Sequence, residues 1–349
     1  MSTDRGSIMM VVSKYRNTGG RESVINNLSI CLKKIGYAVS IGARVFESPP
    51  PLEIDMVNLT GLRNIMDINR SNSTQVIDSH QTLSNYYAFV IKKPFLFHYH
   101  GTSDYFQEIN LKVCYSLLEK RLLRTISISN SASEHLRRRT GQSSKVIYNG
   151  VDSSLFKPSL EAPYRKGEPQ LLFVGNLYPH KGAEKLVTML LSLLKTFPNS
   201  HLIIIGTGKG YSRLHSIIDQ TNMQTRVDLV GHVPLQDLPS YYCSCDIYVS
   251  ASRFELFDLP ALEAMACGKP ILVSNIAAHK EIVEASRAGM IFSLDSIESF
   301  TSSLDRIYRQ RNTFGNNGRK FAEENDWSAV AIRHSQIYDH IINQKGDKQ

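Results

Sequence analysis

The chain of 349 residues has five cysteines, Cys31, Cys114, Cys243, Cys245 and Cys267, odd in number and without a Cys-x-x-Cys spacing. Neither a disulfide framework nor a thiolate zinc site is encoded, and a reducing cytoplasmic compartment is expected. No stretch approaches the roughly eighteen apolar residues of a membrane span. The opening residues, Met1 to Val12, lack the basic flank and long apolar core of a secretory signal. No Asp-x-Asp occurs anywhere, so the acidic pair that commonly holds Mg2+ or Mn2+ against a diphosphate is missing and no metal is expected. Internal repeats and low-complexity segments are absent too.

What is present is an ordinary globular composition, 42% hydrophobic and 21% charged, long enough for two or three domains. The net charge of +8 belongs wholly to the first 158 residues, which hold 20 Lys and Arg against 12 Asp and Glu, while the remainder is balanced. Lys33-Lys34, Lys92-Lys93, Lys120-Arg121 with Arg124, and Arg137-Arg138-Arg139 concentrate it. Such a face suits an anionic membrane or a phosphorylated substrate. No RNA-binding aromatic signature or helix-turn-helix pattern accompanies it, so nucleic acid is not an expected partner.

Short apolar runs alternate with helical periodicities in two successive sets. The first predicts strands near 8–12, 39–41, 76–78, 95–98, 125–128 and 146–148, with Val24, Ile25, Leu28, Cys31, Leu32 and Ile35 at helical spacing before Gly36. The second predicts strands near 171–174, 202–205, 227–230, 247–249 and 271–273, with helices between and after them. Alternation with short connections implies parallel sheets covered on both faces. The expected fold is α/β, two Rossmann-like domains facing across a cleft. Asp152-Ser-Ser and Pro158, Pro163, Gly167 and Pro169 interrupt both periodicities, giving domains at 1–158 and 159–325, with a final helix at about 326–345.

Glycine turns follow a strand in each half: Thr18-Gly19-Gly20, and Gly206-Thr-Gly208-Lys-Gly210, whose third glycine comes one residue early for a dinucleotide fingerprint. Either could admit a ligand close to backbone. The stretch from Ser252 to Pro270 carries more. An apolar strand enters a loop, Pro260 opens a helix, and Gly268 with Pro270 closes it. Glu255 falls on the loop and Glu263 is expected in the first turn, beside free amides that attract phosphate. Glu263 could equally serve only its own helix dipole.

Together these segments resemble the retaining glycosyltransferases of family four, which have the GT-B fold. Gly19-Gly20 resembles the first-loop glycine pair. Phe97-His98-Tyr-His100-Gly101 resembles the strand ending in His-Gly, and Asn149-Gly150-Val151-Asp152 the interdomain signature. Val174-Gly175-Asn176-Leu177 with Lys181-Gly182, the pair Glu255 and Glu263, and Trp327 with Tyr338, which resemble the closing helix that crosses back to the first domain, complete six matches in order. The resemblance implies a nucleotide diphosphate sugar on the second domain, an acceptor on the first, and transfer with retention. It makes His100 and Glu255 the catalytic residues, at the donor sugar. Gly19, Gly20, Asn176, Lys181, Val233, Phe257, Asp258, Leu259 and Glu263 become donor-binding, with Lys181 on the diphosphate and Glu263 on the ribose. No cofactor beyond the co-substrate is implied.

Two positions depart from the pattern. Asn176 stands where an Arg is usual, and Leu256 and Asp258 replace glycines. Asp258 could cap the helix, repel the diphosphate, or turn inward onto a sugar hydroxyl, the reading preferred here. The expected function is a metal-independent hexosyltransferase, with UDP- or GDP-hexose as donor and UDP-glucose as first choice. The acceptor would be a glycan or lipid-linked oligosaccharide of cell-surface glycan or glycoprotein biosynthesis. The expected location is cytoplasmic, with peripheral contact to the inner membrane face through the basic first domain. The alternatives are a non-catalytic GT-B partner subunit and a nucleotide-sugar 2-epimerase.

Overall fold

The computed structural model describes residues 5–16, 19–71, 73–102, 105–118, 120 and 122–346. Thr18 and Arg121 of the segments above lie outside them. The chain divides into two compact units, residues 1–150 with 327–349, and residues 151–326.

In the first unit, β1 (Ser7–Tyr15), β2 (Ala38–Phe46), β3 (Asp55–Asn58), β4 (Val76–Ser79), β5 (Phe95–Tyr99), β6 (Leu122–Ser127) and β7 (Lys145–Val146) form one sheet. Its order is β3-β2-β1-β4-β5-β6-β7, parallel throughout. Central β1 and β5 read as largely apolar runs because they are covered on both faces, and β4, Val-Ile-Asp-Ser, is buried throughout as well. The helices are α1 (Gly20–Lys34), α2 (Leu62–Arg70), α3 (Tyr105–Leu118) and α4 (Asn130–Thr140). Val24, Ile25, Leu28 and Leu32 are the buried stripe of α1. The strand order reverses between β1 and β4, the point where parallel sheets open a crevice at their carboxyl ends. Gly19, His80 and His100 follow β1, β4 and β5 at that end.

The second unit contains β8 (Gln170–Val174), β9 (His201–Ile205), β10 (Val227–Gly231), β11 (Ile247–Ser250), β12 (Ile271–Ser274) and β13 (Gly289–Phe292), in the order β10-β9-β8-β11-β12-β13. Around them lie α5 (Ala183–Leu193), α6 (Tyr211–Gln220), α7 (Leu238–Ser244), α8 (Leu259–Ala266), α9 (Ala277–Ser286), α10 (Ile297–Arg309) and α11 (Arg311–Glu324). Here the order reverses between β8 and β11, from whose ends Asn176, Lys181 and Glu255 issue.

The closing helix α12 (Trp327–Gly346) packs on α1 and β4 of the first unit. Tyr338, fully buried, donates from its hydroxyl to Asp78 Oδ2 at 2.5 Å. Trp327 lies so close to Gly150 that a Cβ there would come within 2.7 Å of the indole, linking the Asn-Gly signature to the final helix.

The sequence-based boundary at 158 falls later than the observed division at 150. Phe156 is buried in the second unit's core, and Ser153 donates twice to Asp326, at 3.1 and 2.7 Å, so residues 151–158 belong to that unit. Strands β3 and β13 are not predicted. β3 is a short sheet-edge strand with polar residues largely in solvent, which carries no apolar run to recognise.

Candidate functional site

In the second unit the local signals of the 252–270 stretch act as expected. Pro260 lies in the first turn of α8, and Gly268, at φ +73°, follows its end. Asp258 is the N-cap and accepts from the Ala261 amide at 3.3 Å. Its Oδ2 also lies 3.1 Å from His279 Nε2 on α9, and the Tyr248 hydroxyl of β11 donates to Oδ1 at 3.2 Å. Burial would raise this carboxyl, but the His279 hydrogen bond and charge, with Lys181, hold it below the ordinary range. The expectation that Asp258 turns onto a sugar hydroxyl is corrected. At 6% exposure, with both oxygens engaged inside the unit, it fastens the loop to the sheet and to α9.

Lys181 ends a short turn (Pro179–Lys181) after β8. Gly182, at φ +74°, lets that turn rest on the end of β11, because a Cβ there would stand 2.1 Å from the Ala251 carbonyl oxygen. The seating places Lys181 Nζ 2.5 Å from Glu255 Oε1, to which Ser252 Oγ donates at 2.9 Å. Burial raises the Glu255 carboxyl, against the pull of Lys181 and with a push from Asp258. The Arg253 amide donates to the His180 carbonyl at 2.7 Å, which ties the loop after β11 to the turn that ends in Lys181. Arg253 and His180 are both exposed.

Glu263 lies in the second turn of α8, not the first, so it does not complement the helix dipole. Half-buried, it accepts from the Tyr242 hydroxyl at 2.7 Å, and burial pushes its carboxyl up to about 7, further raised by Asp258. Phe257 packs against the core of the unit, and Leu259, half-buried, begins α8. Asn176 is exposed in the loop after β8, while Val233 belongs to the buried core. Gly206 is not a ligand cradle. Its amide donates to the Gly231 carbonyl, and its missing side chain is required by the Gly175 carbonyl, which a Cβ would meet at 1.8 Å.

In the first unit Gly19 caps α1 and Gly20 begins it, with the Glu22 carboxylate folded back toward Gly19 and paired to Arg21 at 2.5 Å. His100, half-buried just after β5, has Nε2 3.0 Å from His80 Nδ1. Its ring stacks on His98 at 4.7 Å, and His98 stacks in turn on His334 of α12 at 5.2 Å. Burial lowers His80, His100 and His334, the last to about 3, so these imidazoles are neutral. Asp78 lies against this group; burial would raise it, but His80 and His98 keep it well below the carboxylate range.

Sequence reasoning missed Ser252, Tyr242, His279, His80 and His334. Only the alternation His98-Tyr-His100 was a local signal, since residues two apart on a strand share a face.

The family model of glycosyl transferases group 1 matches residues 160–321. An uncharacterized glycosyltransferase of Methanocaldococcus jannaschii is 26% identical over 218 residues, 61% of this chain and 57% of that protein. The GPI3 subunit of phosphatidylinositol N-acetylglucosaminyltransferase from Saccharomyces cerevisiae is 27% identical over 232 residues, 62% of this chain and 51% of that one. The chain thus spans little more than half the length of these relatives. Among solved structures, sucrose-phosphate synthase from Thermosynechococcus elongatus superposes with a TM-score of 0.84 at 20% identity, covering 97% of this chain and all 100% of that one. Anabaena HepE, solved with UDP and glucose, gives 0.79 at 17% identity, covering 96% and 100%. The fold is that of the GT-B glycosyltransferases.

Proposed function

We propose, from the membership of residues 160–321 in the glycosyl transferases group 1 family, that the chain transfers a hexose from a nucleotide diphosphate sugar with retention of configuration. The observation that carries this reading is the pair Lys181 and Glu255 at 2.5 Å, seated where β8 and β11 diverge and beside the N-terminal end of α8. Transfer requires charge to be stabilised on the departing diphosphate. Lys181, the exposed Arg253 and the first amides of α8 offer cation and dipoles for it without Asp-x-Asp ligands. Arg253 supplies the charge that Asn176 does not. Glu255 is then released from Lys181 to the sugar hydroxyls, and Glu263 accepts from the ribose. Phe257 and Leu259 line the approach to α8, and His100 keeps the role that the resemblance implies for it.

UDP-glucose is the first donor to test, supported by the UDP and glucose held by the HepE structure. A lipid-linked acceptor is supported by the phosphatidylinositol in the name of one relative. A non-catalytic role is the second reading, motivated by Asn176. The experiment is a panel of nucleotide sugars scored by thermal stabilisation and by transfer. One donor should stabilise the chain, and Lys181→Ala and Glu255→Gln should each lower turnover at least a hundredfold, about 3 kcal/mol of barrier, while the fold persists. Unchanged rates in both variants would overturn the assignment; stabilisation without any transfer by the native chain would favour the non-catalytic reading.

A further inference from the structure

We propose that the first unit binds one divalent transition metal ion of the Zn2+ class on His80, His98 and His100. Each of the three imidazoles offers one nitrogen, and these nitrogens lie within 4.8 Å of one another. They come from the carboxyl ends of the adjacent parallel strands β4 and β5, so the sheet fixes their spacing. His98 and His100, two residues apart, project to one side of β5, and His80 faces them from β4 with ring centroids at 4.6 and 5.2 Å.

Three features point to a ligand and not to a satisfied core. First, Nε2 of His98 is buried without a hydrogen bond, on a ring only 1% exposed. A buried polar atom in that state costs about 1–3 kcal/mol, so it calls for a partner. Second, a carboxylate stands behind the rings. His80 Nε2 is 3.4 Å and His98 Nδ1 3.8 Å from Asp78 Oδ2, while Tyr338 fixes that oxygen from α12. Metal-bound imidazoles almost always turn their second N–H to such a carboxylate, which sets the tautomer and raises ligand basicity. This leaves His80 Nδ1, His98 Nε2 and His100 Nε2 as the metal-facing atoms. Third, His80 Nδ1 and His100 Nε2 are already 3.0 Å apart. Tetrahedral Zn–N bonds of about 2.0–2.1 Å require ligand separations of roughly 3.3 Å, so His98, stacked on His100, must turn its ring toward the other two nitrogens as the metal binds.

Three imidazole ligands with His100 half-exposed leave a fourth position open to water or an added ligand. Three nitrogen donors without a thiolate select Zn2+, Co2+ or Ni2+ over Mg2+ and Ca2+. The three ligands all belong to the first unit.

The test uses the full chain, freed of metal by chelation and titrated with Zn2+ by calorimetry, and with Co2+ by visible spectroscopy. One equivalent of Zn2+ should bind with a dissociation constant below about 1 μM, and Co2+ should develop the strong visible bands of a four-coordinate site. His80→Ala and His98→Ala should each weaken Zn2+ at least a hundredfold, and Asp78→Asn about tenfold to a hundredfold. His215→Ala, in the second unit, should leave binding unchanged. Absence of one-equivalent binding, equal binding in the His98→Ala and native chains, or an octahedral Co2+ spectrum would each overturn the proposal. Should a histidine variant fail to fold, the Co2+ spectrum of the native chain decides alone.

Discussion

Asp258 shows how a single carboxylate beside a proposed donor site can be structural. Its oxygens hold the Ala261 amide, His279 and Tyr248 at once. Removing it leaves the buried His279 Nε2 and the Tyr248 hydroxyl without their partner and α8 without its cap. Asp258→Ala should therefore cost about 2–4 kcal/mol in denaturant unfolding. Donor affinity should fall only as far as the loop carrying Glu255 loosens. A loss of affinity without loss of stability would return Asp258 to the sugar site. Glu263 makes a different prediction, through pH. Its folded value of about 7 lies above that of a free carboxyl, so the folded chain holds this proton where the unfolded chain has released it. The stability it contributes is full below about pH 4 and is lost as pH rises through 7. Glu263→Gln, uncharged and of equal size, should lose less stability than the native chain between pH 5 and 8, as read by urea midpoints. Parallel curves for the two proteins would show that the carboxyl titrates normally.

At the scale of elements, Pro260 and Gly268 were legible because they act on their own turn, through a missing N–H and a positive φ. The central strands were legible because burial on both faces leaves an apolar run. What Asp258 binds was not legible, since its partner arrives with α9, beyond the following strand. The imidazoles are a stronger case, because β4, β5 and α12 bring His80, His98, His100 and His334 together only through the parallel topology. Gly182 lies between these extremes: a Lys-Gly pair is visible, but the reason for the glycine is the Ala251 carbonyl of a strand some seventy positions later in the chain. An alanine there must find room for a Cβ where backbone already stands, at a φ that L residues avoid. Gly182→Ala should destabilise the chain by at least about 3 kcal/mol and separate Lys181 from Glu255. Calorimetry on the purified variant is the check, and a melting temperature within about one degree of the native one, an effect under 1 kcal/mol, would mean that the turn is not seated on β11.

Across the whole molecule the charge asymmetry read from composition is only partly free. Arg137 and Arg138 pair with Glu134 at 2.7 Å, and Arg139 with Glu108 at 2.6 Å, so one basic cluster is largely internal to α3 and α4. Among the described residues, Lys112, Lys120 and Arg124 near α3 are left in solvent. They accompany a feature the composition did not reveal. Leu111, Cys114, Tyr115 and Leu118 bury one face of α3, while Phe106, Ile109, Val113 and Leu117 leave a second apolar stripe outside, Phe106 at 66% exposure. No helix among the described residues is long and apolar enough to cross a membrane. An apolar stripe flanked by lysine and arginine instead suits a helix lying in the surface of an anionic bilayer, and this is the membrane contact proposed for a lipid-linked acceptor. Burying one Phe or Leu side chain in the interface is worth about 1.5–3 kcal/mol, so Phe106→Asp or Leu117→Asp should reduce binding to phosphatidylglycerol vesicles by tenfold to a hundredfold. Lys120→Glu should act mainly at low salt, because a Debye length of about 10 Å at 0.1 M screens a surface charge but not an inserted ring. Sedimentation with vesicles of graded anionic content separates the two contributions. Binding that ignores both lipid charge and the Phe106 substitution would remove the membrane from the account and leave the acceptor to be sought among soluble glycans.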